Sequence, residues 1–367
     1  LHVTDGAAVE IDPHTGDVLA YVASAGADVP GGQIDMAAAP RQPGSSFKLY
    51  TYTTALATGK ASMVSPVLDA PISLPSGGGA NGTQPYSPLD YDRMWHGPQP
   101  IERALGNSLN VPAIRTELVT GIPWIVATAR AMGVTTLTQP PQSYGPSLTL
   151  GTYGVPLWEM AQAGSVFASG GTLHHARFVQ SVVRTDGTQH GLASTGAQQV
   201  LDPRVAFLMN DMLSNDANRS MEFGSGGLLM VAGHQVAAKT GTSEDFRDNV
   251  TIGWTPSLVT ATWVGNADDS PMHGTTGITG AAPIWHDVMA HELSGADAWP
   301  GAPSGLQSAA SPDGLAFFLP GTSAQTGEPA LMTIGAAPQR TGGGKGDGGG
   351  GGDSGGQGQG GGHGGKH

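Results

Sequence analysis

Two blocks of strand-like sequence lie near opposite ends of this chain, and the sequence between them is mostly helical in pattern. Residues 7–24 contain two apolar runs that flank the turn sequence DPHTG, which predicts a β-hairpin. Residues 235–266 contain three more runs rich in β-branched residues, and Pro256 lies in the turn between the last two. Strands at both ends with helices between them predict an α+β domain whose sheet joins the terminal segments.

The other regular patterns are helical. We predict helices over residues 45–60, 101–121 with an interruption at 107–112, 157–170, 205–213 and 282–293. Residues 61–99 are rich in Pro, Gly and Ser and are predicted to be mostly loop.

The composition changes towards the end of the chain. Residues 1–298 carry the strand and helix patterns and are predicted to form one domain. Residues 299–341 are rich in Pro, Gly, Ser and Ala, with one apolar patch at 315–319, and are predicted to form a small appendage. Residues 342–367 are glycine-rich without net charge. Such a segment buries too little apolar area to offset its chain entropy, so we expect a disordered tail.

The charge balance limits the partners of this chain. Asp and Glu number 29 against 16 Lys and Arg, so we expect no nucleic-acid partner, because phosphate binding needs clustered cations. Cysteine is absent from the sequence, which excludes disulfides, thiolate zinc sites and cysteine nucleophiles. No stretch reaches the roughly 20 apolar residues that cross a bilayer. The sequence begins with Leu, so we expect an anchor or an upstream domain to lie outside it.

Lysine is rare in this sequence, and its positions point to chemistry. Five lysines occur, two of them in the glycine-rich tail, and two of the other three lie in short motifs. In the first motif, Ser45 and Lys48 are three residues apart, which places hydroxyl and amine on one face of a helix. A lysine with a lowered pKa can take the proton of a serine nucleophile. The alternative is that Ser45 is an ordinary helix N-cap.

Two further motifs follow along the chain. Ser108 and Asn110 lie in the break between helical stretches, where they could project together into a cleft, although both are also ordinary turn and cap residues. The sequence K-T-G-T starts at Lys239 in a predicted strand. Its lysine supplies a positive charge, its threonines can donate to a carboxylate, and its glycine leaves room for a substrate backbone. The alternative is a solvated strand end followed by a turn.

The order and spacing of the three motifs are more informative than each motif alone. Ser108 follows Ser45 by 63 residues, and Lys239 follows Ser108 by 131 residues. Serine-x-x-lysine, serine-x-asparagine and lysine-threonine-glycine in this order form the motif set of penicillin-binding proteins and serine β-lactamases.

The sequence resembles the transpeptidase domain of class A, bifunctional penicillin-binding proteins. The resemblance covers most of residues 7–290 through the stretches AAVEIDPHTGDVLAYV, RQPGSSFK, YSPLDYDRMWHGPQPIERALGNSLNVPAI, LTLGTYGVPLWEMAQAGSVFASGGT, KTGTSEDFRDNVTIGWTPSLVTATWVGN and GITGAAPIWHDVM. It implies an antiparallel five-stranded sheet flanked by helices, with an all-helical subdomain. Two departures stand out: Leu49, where the family usually has proline, and Asp90, where it often has asparagine. We expect neither to touch a catalytic group, so that both affect local packing only.

The resemblance also implies catalytic roles. Ser45 would attack the carbonyl between the two terminal D-alanines of a peptidoglycan stem peptide, and Lys48 would be its base. Ser108, supported by Lys239, would relay a proton to the departing D-alanine. An amine from a neighbouring stem would then take the acyl group in a cross-link, whereas water would complete a carboxypeptidase reaction.

The same resemblance implies substrate-binding roles. Asn110 would hold side-chain or amide groups of the substrate, and Thr240 and Thr242 would receive its terminal carboxylate beside the bare strand surface at Gly241. The oxyanion hole would consist of the backbone N–H groups of Ser45 and Thr242.

We expect no cofactor and no metal. His286 and His291 have the wrong spacing for two ligands on one helical face. The expected partners are peptidoglycan stem peptides and β-lactam antibiotics, and the expected location is the extracytoplasmic face of the bacterial cell membrane.

Two alternatives remain at this stage. A β-lactamase would use the same motifs with fast deacylation, but Glu117, Glu159 and Glu222 do not lie in a sequence setting that resembles its deacylating base. A non-catalytic β-lactam sensor or scaffold would keep the acylated serine without turnover.

Overall fold

The two terminal strand blocks form one sheet in the computed structural model, which describes residues 1–74, 85–193, 196–295, 297–311 and 314–335. The strands are β1 (Asp5–Ile11), β2 (Val18–Val22), β3 (Pro66–Asp69), β4 (Gly97–Pro100), β5 (Thr172–His174), β6 (Ser181–Val183), β7 (Gln189–Gly191), β8 (Ala197–Gln199), β9 (Ala237–Thr242), β10 (Asp248–Trp254), β11 (Val259–Gly265), β12 (Gln307–Ser311) and β13 (Gly314–Phe318). The helices are α1 (Lys48–Ala57), α2 (Ile101–Gly106), α3 (Asn110–Thr120), α4 (Ile122–Ala131), α5 (Leu157–Ala168), α6 (Pro203–Ser214), α7 (Ser220–Phe223), α8 (Ala281–Glu292) and α9 (Glu328–Thr333).

The main sheet has five antiparallel strands in the order β2-β1-β11-β10-β9. Strand β1 pairs with β11, so that Ile11 lies opposite Val259 and the start of the chain is joined to its last third. Strand β9 carries the K-T-G-T motif at the edge of this sheet, with Thr242 opposite Asn249 on β10. The predicted α+β class with a five-stranded antiparallel sheet is confirmed.

The central strands β10 and β11 are buried along their whole length because helices cover both faces of the sheet. Helix α5 packs on β1, β10 and β11, and Gly164 lets it approach Ile252 and Val259 closely. Helix α8 packs on β10 and β11 as well, where the ring of Trp285 occupies the space that a side chain at Gly253 would need. Burial on both faces does not exclude polar residues from these strands, because the buried hydroxyls of Thr251 and Thr262 donate to backbone carbonyl oxygens.

Helices pack around α1, which contacts α3, α4 and α6. The predicted helix over residues 45–60 is shorter than expected: a 3₁₀ turn, Gly44–Phe47, precedes α1, which ends at Ala57. The break predicted at 107–112 separates α2 from α3, and α5, α6 and α8 lie where helices were predicted. Helix α4 was not predicted.

Short two-stranded ribbons accompany these helices, and they were not predicted either. The stretch 61–99, predicted as loop, contains β3 and the first three residues of β4, and its residues 75–84 lie outside the described part of the chain. None of the helices in the described residues combines the length and apolar composition needed to cross a membrane.

The described part of residues 299–341 contains β12, β13 and α9. Phe318 and Leu331 are buried in the main hydrophobic core, and α9 packs on β3 and α3. Residues Leu1–Ala336 form one compact unit. The predicted disordered tail, 342–367, lies outside the described residues, and the boundaries predicted after residues 298 and 341 stay predictions.

Candidate active site

Ser45 lies in the 3₁₀ turn that precedes α1, and its side chain is partly exposed. Its hydroxyl has no hydrogen-bond partner among the described residues and caps no helix, so the N-cap alternative is not realised. The neighbouring Ser46 is buried, and its Oγ donates to the carbonyl oxygen of Pro43 at 2.6 Å. Of the two adjacent serines, Ser45 is therefore the one that a substrate can reach.

Glycines bring this turn into backbone contact with the edge strand β9. Gly44 has a φ of 54°, and a Cβ there would lie 2.4 Å from the carbonyl oxygen of Thr242. A Cβ on Gly241 would lie 2.1 Å from the carbonyl oxygen of Pro43. No side chain fits at either position, and this close approach places Ser45 alongside Thr242.

Lys48 lies at the start of α1 and is fully buried. Its Nζ donates to the carbonyl oxygen of Ser108 at 2.5 Å and to Oδ1 of Asn110 at 2.7 Å. Nζ has a third, longer hydrogen-bond partner, Ser108 Oγ at 3.4 Å. Three partners would use every N–H group of an ammonium, whereas a neutral amine would donate two N–H groups and keep one lone pair. Within the described part of the chain no hydrogen bond joins Lys48 to Ser45, and a proton from Ser45 would need that lone pair.

Burial lowers the pKa of Lys48 to about 7, although the negative charges of Asp90 and Glu222 act in the opposite direction. A lysine with its ordinary pKa would be protonated at neutral pH and could not accept a proton. Lys48 therefore has the electrostatic character of a general base near pH 7.

Ser108 lies between α2 and α3 in the left-handed region, with a φ of 61°. This conformation is rare for a residue other than glycine and costs about 1–3 kcal/mol. Its Oγ accepts a hydrogen bond from Lys239 Nζ at 2.8 Å and lies 3.4 Å from Lys48 Nζ. The strained turn therefore presents one hydroxyl to both lysines.

Lys239 is buried on β9, where its Nζ also donates to the carbonyl oxygen of Thr240 at 2.9 Å. Burial and, secondarily, the charge of Lys48 lower the pKa of Lys239 well below its ordinary value. Two ammonium groups this close repel each other, so the site favours fewer than two positive charges. The structure thus joins Lys48 and Lys239 through Ser108, and Ser45 lies three residues before Lys48.

Thr240 and Thr242 lie on the opposite face of β9 from Lys239 and Gly241, because side chains alternate along a strand. Thr242 Oγ1 accepts a hydrogen bond from the backbone N–H of Gly277 at 2.9 Å, and Thr240 also lies against Gly277. The structure therefore does not bring the threonine hydroxyls into the lysine and serine cluster. They lie beside the open edge of the sheet.

Asp90 is a functional neighbour that the sequence did not reveal. Its Oδ1 accepts hydrogen bonds from the backbone N–H groups of Asn110 and Val111, the first residues of α3. Burial, together with a hydrogen bond to Asp69 and its charge, raises the pKa of Asp90 to about 7. No hydrogen bond joins Asp90 to a catalytic group among the described residues, as expected, but its role extends beyond local packing because it holds Asn110, whose side chain accepts a hydrogen bond from Lys48.

Asp69 and His96 complete a charged cluster behind Asn110. His96 Nδ1 lies 2.7 Å from Asp69 Oδ2, and His96 Nε2 lies 3.0 Å from Asp92 Oδ2. Ligand atoms of Asp69, Asp90 and His96 all lie within 4.8 Å of one another, a span that could hold a metal ion. Both ring nitrogens of His96 already face carboxylates, however, which is the arrangement of a charged imidazolium hydrogen-bonded on both sides.

The three glutamates considered for β-lactamase chemistry have different surroundings. Glu117 accepts a hydrogen bond from Thr149 N at 2.7 Å, and Glu159 accepts one from Thr135 N at 2.9 Å, so both have structural partners. Glu222 on α7 is half-buried and acts electrostatically on both lysines. Among the described residues no hydrogen bond joins its carboxylate to either lysine or to Ser45.

Comparison with known sequences identifies relatives over most of the chain. Residues 6–290 match the sequence family described as penicillin binding protein transpeptidase domain. Penicillin-binding protein 1A of Neisseria meningitidis serogroup A is 34% identical over 299 residues, covering 79% of this chain and 36% of that protein. Penicillin-binding protein 1A of Clostridium botulinum is 32% identical over 288 residues, covering 77% and 34%. The chain spans about a third of the length of these curated relatives.

Solved structures share the fold. The crystal structure of penicillin-binding protein 1A from Haemophilus influenzae has a TM-score of 0.74 at 22% identity, covering 88% of this chain and 54% of that chain. The structure of the PonA1 protein from Mycobacterium tuberculosis in complex with penicillin V has a TM-score of 0.68 at 26% identity, covering 83% and 81%.

Proposed function

This chain belongs to the penicillin-binding protein transpeptidase domain family, and from that premise we propose that it is a serine D,D-transpeptidase that cross-links peptidoglycan stem peptides. One observation carries the proposal: the unpartnered Ser45 hydroxyl lies one helical turn before a fully buried Lys48 whose pKa is lowered to about 7. This combination supports a nucleophile and its base.

In the proposed acylation, Lys48 Nζ takes the proton of Ser45 Oγ, and Oγ forms a bond to the carbonyl carbon between the two terminal D-alanines. The backbone N–H groups of Ser45 and Thr242 would stabilise the oxyanion, and loss of one such donor costs roughly 3 kcal/mol in serine hydrolases. The carbon–nitrogen bond then breaks, and the departing D-alanine amine receives the proton of Ser108 Oγ. Lys239, hydrogen-bonded to that oxygen, supplies its replacement.

In the proposed second half-reaction, the amine of a neighbouring stem attacks the acyl-enzyme carbonyl and loses one proton through the same groups. The ester bond to Ser45 breaks, and Oγ regains a proton. Water in place of the amine gives the carboxypeptidase product. A β-lactam would acylate Ser45 through its ring amide, with a leaving group that remains tethered to the adduct.

We place this activity at the extracytoplasmic face of the bacterial membrane, where the stem peptides are. The relatives are about three times as long as the part that this chain matches. Asn110 and the open edge of β9 beside Thr240, Gly241 and Thr242 are the proposed contacts for the substrate.

The proposed function is tested by intact-mass analysis after incubation with a penicillin, with peptide mapping of the adduct. We expect a lasting adduct on Ser45 that is lost in Ser45→Ala and retained in the matched control Ser46→Ala. Release of D-alanine from a pentapeptide ending in D-Ala-D-Ala, with an amine acceptor present, distinguishes an enzyme from a sensor. A transient adduct with drug hydrolysis would indicate a β-lactamase, and absence of any adduct would refute the proposal.

A further inference from the structure

Two buried carboxyl groups lie next to each other behind the Ser108 and Asn110 motif. Asp69, at the end of β3, is fully buried, and Asp90 is 3% exposed. Two ionised carboxylates in such surroundings repel each other and have lost their hydration, so at least one positive charge or proton must compensate them.

The hydrogen bonds leave one oxygen of each carboxyl group free. Asp69 Oδ2 accepts from the backbone N–H and the ring of His96, both at 2.7 Å, while Asp90 Oδ1 accepts from the start of α3. Asp69 Oδ1 and Asp90 Oδ2 are buried and have no N–H or other protein donor within the described part of the chain. One oxygen of Asp69 and one of Asp90 lie within 4.8 Å of each other, so a proton shared between the two carboxyl groups would give these buried oxygens a partner.

We propose that Asp69 and Asp90 share one proton, and that this proton keeps Lys48 in the neutral form that accepts the proton of Ser45. The two aspartates are positioning residues in this reaction, because neither touches the substrate. The inference rests on the proposed function, in which Lys48 is the base.

Asn110 connects the carboxyl pair to the base. Asp90 accepts the backbone N–H of Asn110, and the side-chain Oδ1 of the same residue accepts a hydrogen bond from Lys48 at 2.7 Å. Of the two acidic groups that act on Lys48, Asp90 has a larger effect than Glu222, so an ionised Asp90 would raise the pKa of Lys48. A neutral Asp90 leaves burial as the dominant effect, and Lys48 then remains a free amine near neutral pH.

Other charged and titratable groups face this network from the surrounding elements. Lys48 also faces Glu222 of α7 and Lys239 of β9. The groups that face the carboxyl pair are Tyr52 of α1, Asp92 and His96 in the segment before β4, and Arg115 of α3. Burial acts to lower the pKa of His96, but the hydrogen bond to Asp69 and the neighbouring carboxylates outweigh it and raise that pKa. Apart from Asp92 in the control variant, these groups are unchanged in the variants below.

The test is the pH dependence of Ser45 acylation by a penicillin in Asp90→Asn and Asp69→Asn. Asp90→Asn replaces a protonated, neutral carboxyl group with a neutral amide, so the acidic limb of the acylation rate should stay close to that of the unchanged chain. Asp69→Asn removes the partner that shares the proton, so Asp90 ionises, the pKa of Lys48 rises, and the limb should move to higher pH. We expect the two limbs to differ by about one pH unit or more, which is about tenfold in rate at a pH between them.

Asp92→Asn is the matched control, because its carboxylate reaches His96 but contacts neither Asp90 nor Asn110. The acidic limb of its acylation rate should stay close to that of the unchanged chain. A purely structural role would slow acylation in both test variants without moving the acidic limb of Asp69→Asn away from that of Asp90→Asn. Limbs that coincide, or that move the same way, would overturn the inference.

An independent readout separates this inference from the proposed function. Infrared spectra of the unchanged folded chain at neutral pH should contain the carbonyl band of a buried protonated carboxyl group, and Asp90→Asn should lose it. Absence of that band in the unchanged chain refutes the shared proton, whether or not Ser45 is acylated. Its presence in a chain that forms no adduct would refute the proposed function alone.

Discussion

The most unusual single residues of the candidate site are two buried lysines. Lys48 and Lys239 are at most 2% exposed, and neither forms a direct ion pair among the described residues. A charged amine in such surroundings destabilises the folded state, which is why burial lowers both pKa values. The same effect that costs stability makes Lys48 a base at neutral pH.

The pH dependence of stability follows from the direction of these shifts. The folded pKa of Lys239 lies well below the value of an unfolded lysine, about 10.4. Between the two values the unfolded chain binds more protons than the folded chain, so the free energy of unfolding rises with pH across this window. At lower pH the lysine is protonated in both states, and the full penalty for burying its charge remains.

Replacing Lys239 with methionine should therefore separate stability from activity. Lys239→Met keeps the volume and removes the buried amine, so we expect the variant to be at least as stable as the unchanged chain at pH 7. Its stability should also rise less between pH 7 and pH 10. Acylation of Ser45 should fall by about a hundredfold or more, because Ser108 loses its proton supply.

Urea unfolding at the two pH values and the rate of penicillin labelling check this expectation. A variant that loses stability and labelling together would mean that Lys239 is a structural residue. Unchanged labelling would remove its proposed role in proton transfer.

Among the secondary-structure elements, the geometry of the candidate site depends on the contact between strand β9 and the 3₁₀ turn that carries Ser45, called the serine turn below. It depends on Gly241, because a Cβ there would lie 2.1 Å from the carbonyl oxygen of Pro43. Gly241 does not have a positive φ, so the requirement for glycine is one of space and not of backbone conformation. Any side chain must push the turn that carries Ser45 away from the edge strand.

Gly241→Ala should accordingly lower the free energy of unfolding by about 1–3 kcal/mol and slow acylation, because the oxyanion donors of the turn and the strand separate. Gly191→Ala is the matched control. Gly191 is also a strand glycine without a positive φ, but an added Cβ there meets no atom within 4 Å, so we expect a change within about 0.5 kcal/mol. Thermal unfolding and labelling rates measure both effects, and equal behaviour of the two variants would rule out the steric argument.

The elements and motifs differ in how far sequence could predict them. The five sheet strands and five of the longer helices, α1, α3, α5, α6 and α8, were predictable because their patterns are local and their apolar faces are buried. Helix α4 follows Gly121, which is a stop signal for the preceding helix, and this hid the start of the next one. The order of the three motifs along the chain predicted that they belong to one site. The proximity of Asp69 and Asp90 could not be predicted, because these residues meet only after folding.

The proposed threonine contacts show the same limit. Sequence places Thr240 and Thr242 next to Lys239, but alternation along β9 directs them to the other face of the strand, beside Gly277. The residue types predicted which side chains could bind the substrate. The directions of these side chains depend on the register of β9 with β10 and on the loop before α8, and neither can be inferred from a local sequence pattern.

The whole molecule is held together by the pairing of its distant segments. Strand β1 lies between β2 and β11, so its seven residues join the N-terminal hairpin to the strands that include the K-T-G-T motif. Ser45 follows the hairpin in sequence, and Lys239 precedes β10 and β11. Loss of β1 would therefore separate the segment that provides the nucleophile from the sheet that provides the rest of the site.

A substitution inside β1 should for this reason abolish acylation although it touches no catalytic group. Val9 is fully buried, and Val9→Asp places a charge in the core, so we expect the free energy of unfolding to fall by about 3 kcal/mol or more. Leu19→Asp on the neighbouring β2 is the control, because Leu19 is 56% exposed. Its stability and labelling should be nearly unchanged.

The dependence of the site on the folded sheet can also be tested in the unchanged chain. Trp254 and Trp263 are buried on the two central strands, so tryptophan fluorescence reports on the sheet, while a short penicillin pulse reports on Ser45. If the sheet and the site form one cooperative unit, both signals should fall at the same urea concentration. Labelling that survives beyond the fluorescence transition would mean that the serine turn and the lysines fold independently of the terminal pairing. Loss of labelling before that transition would mean that the site opens locally while the sheet remains folded.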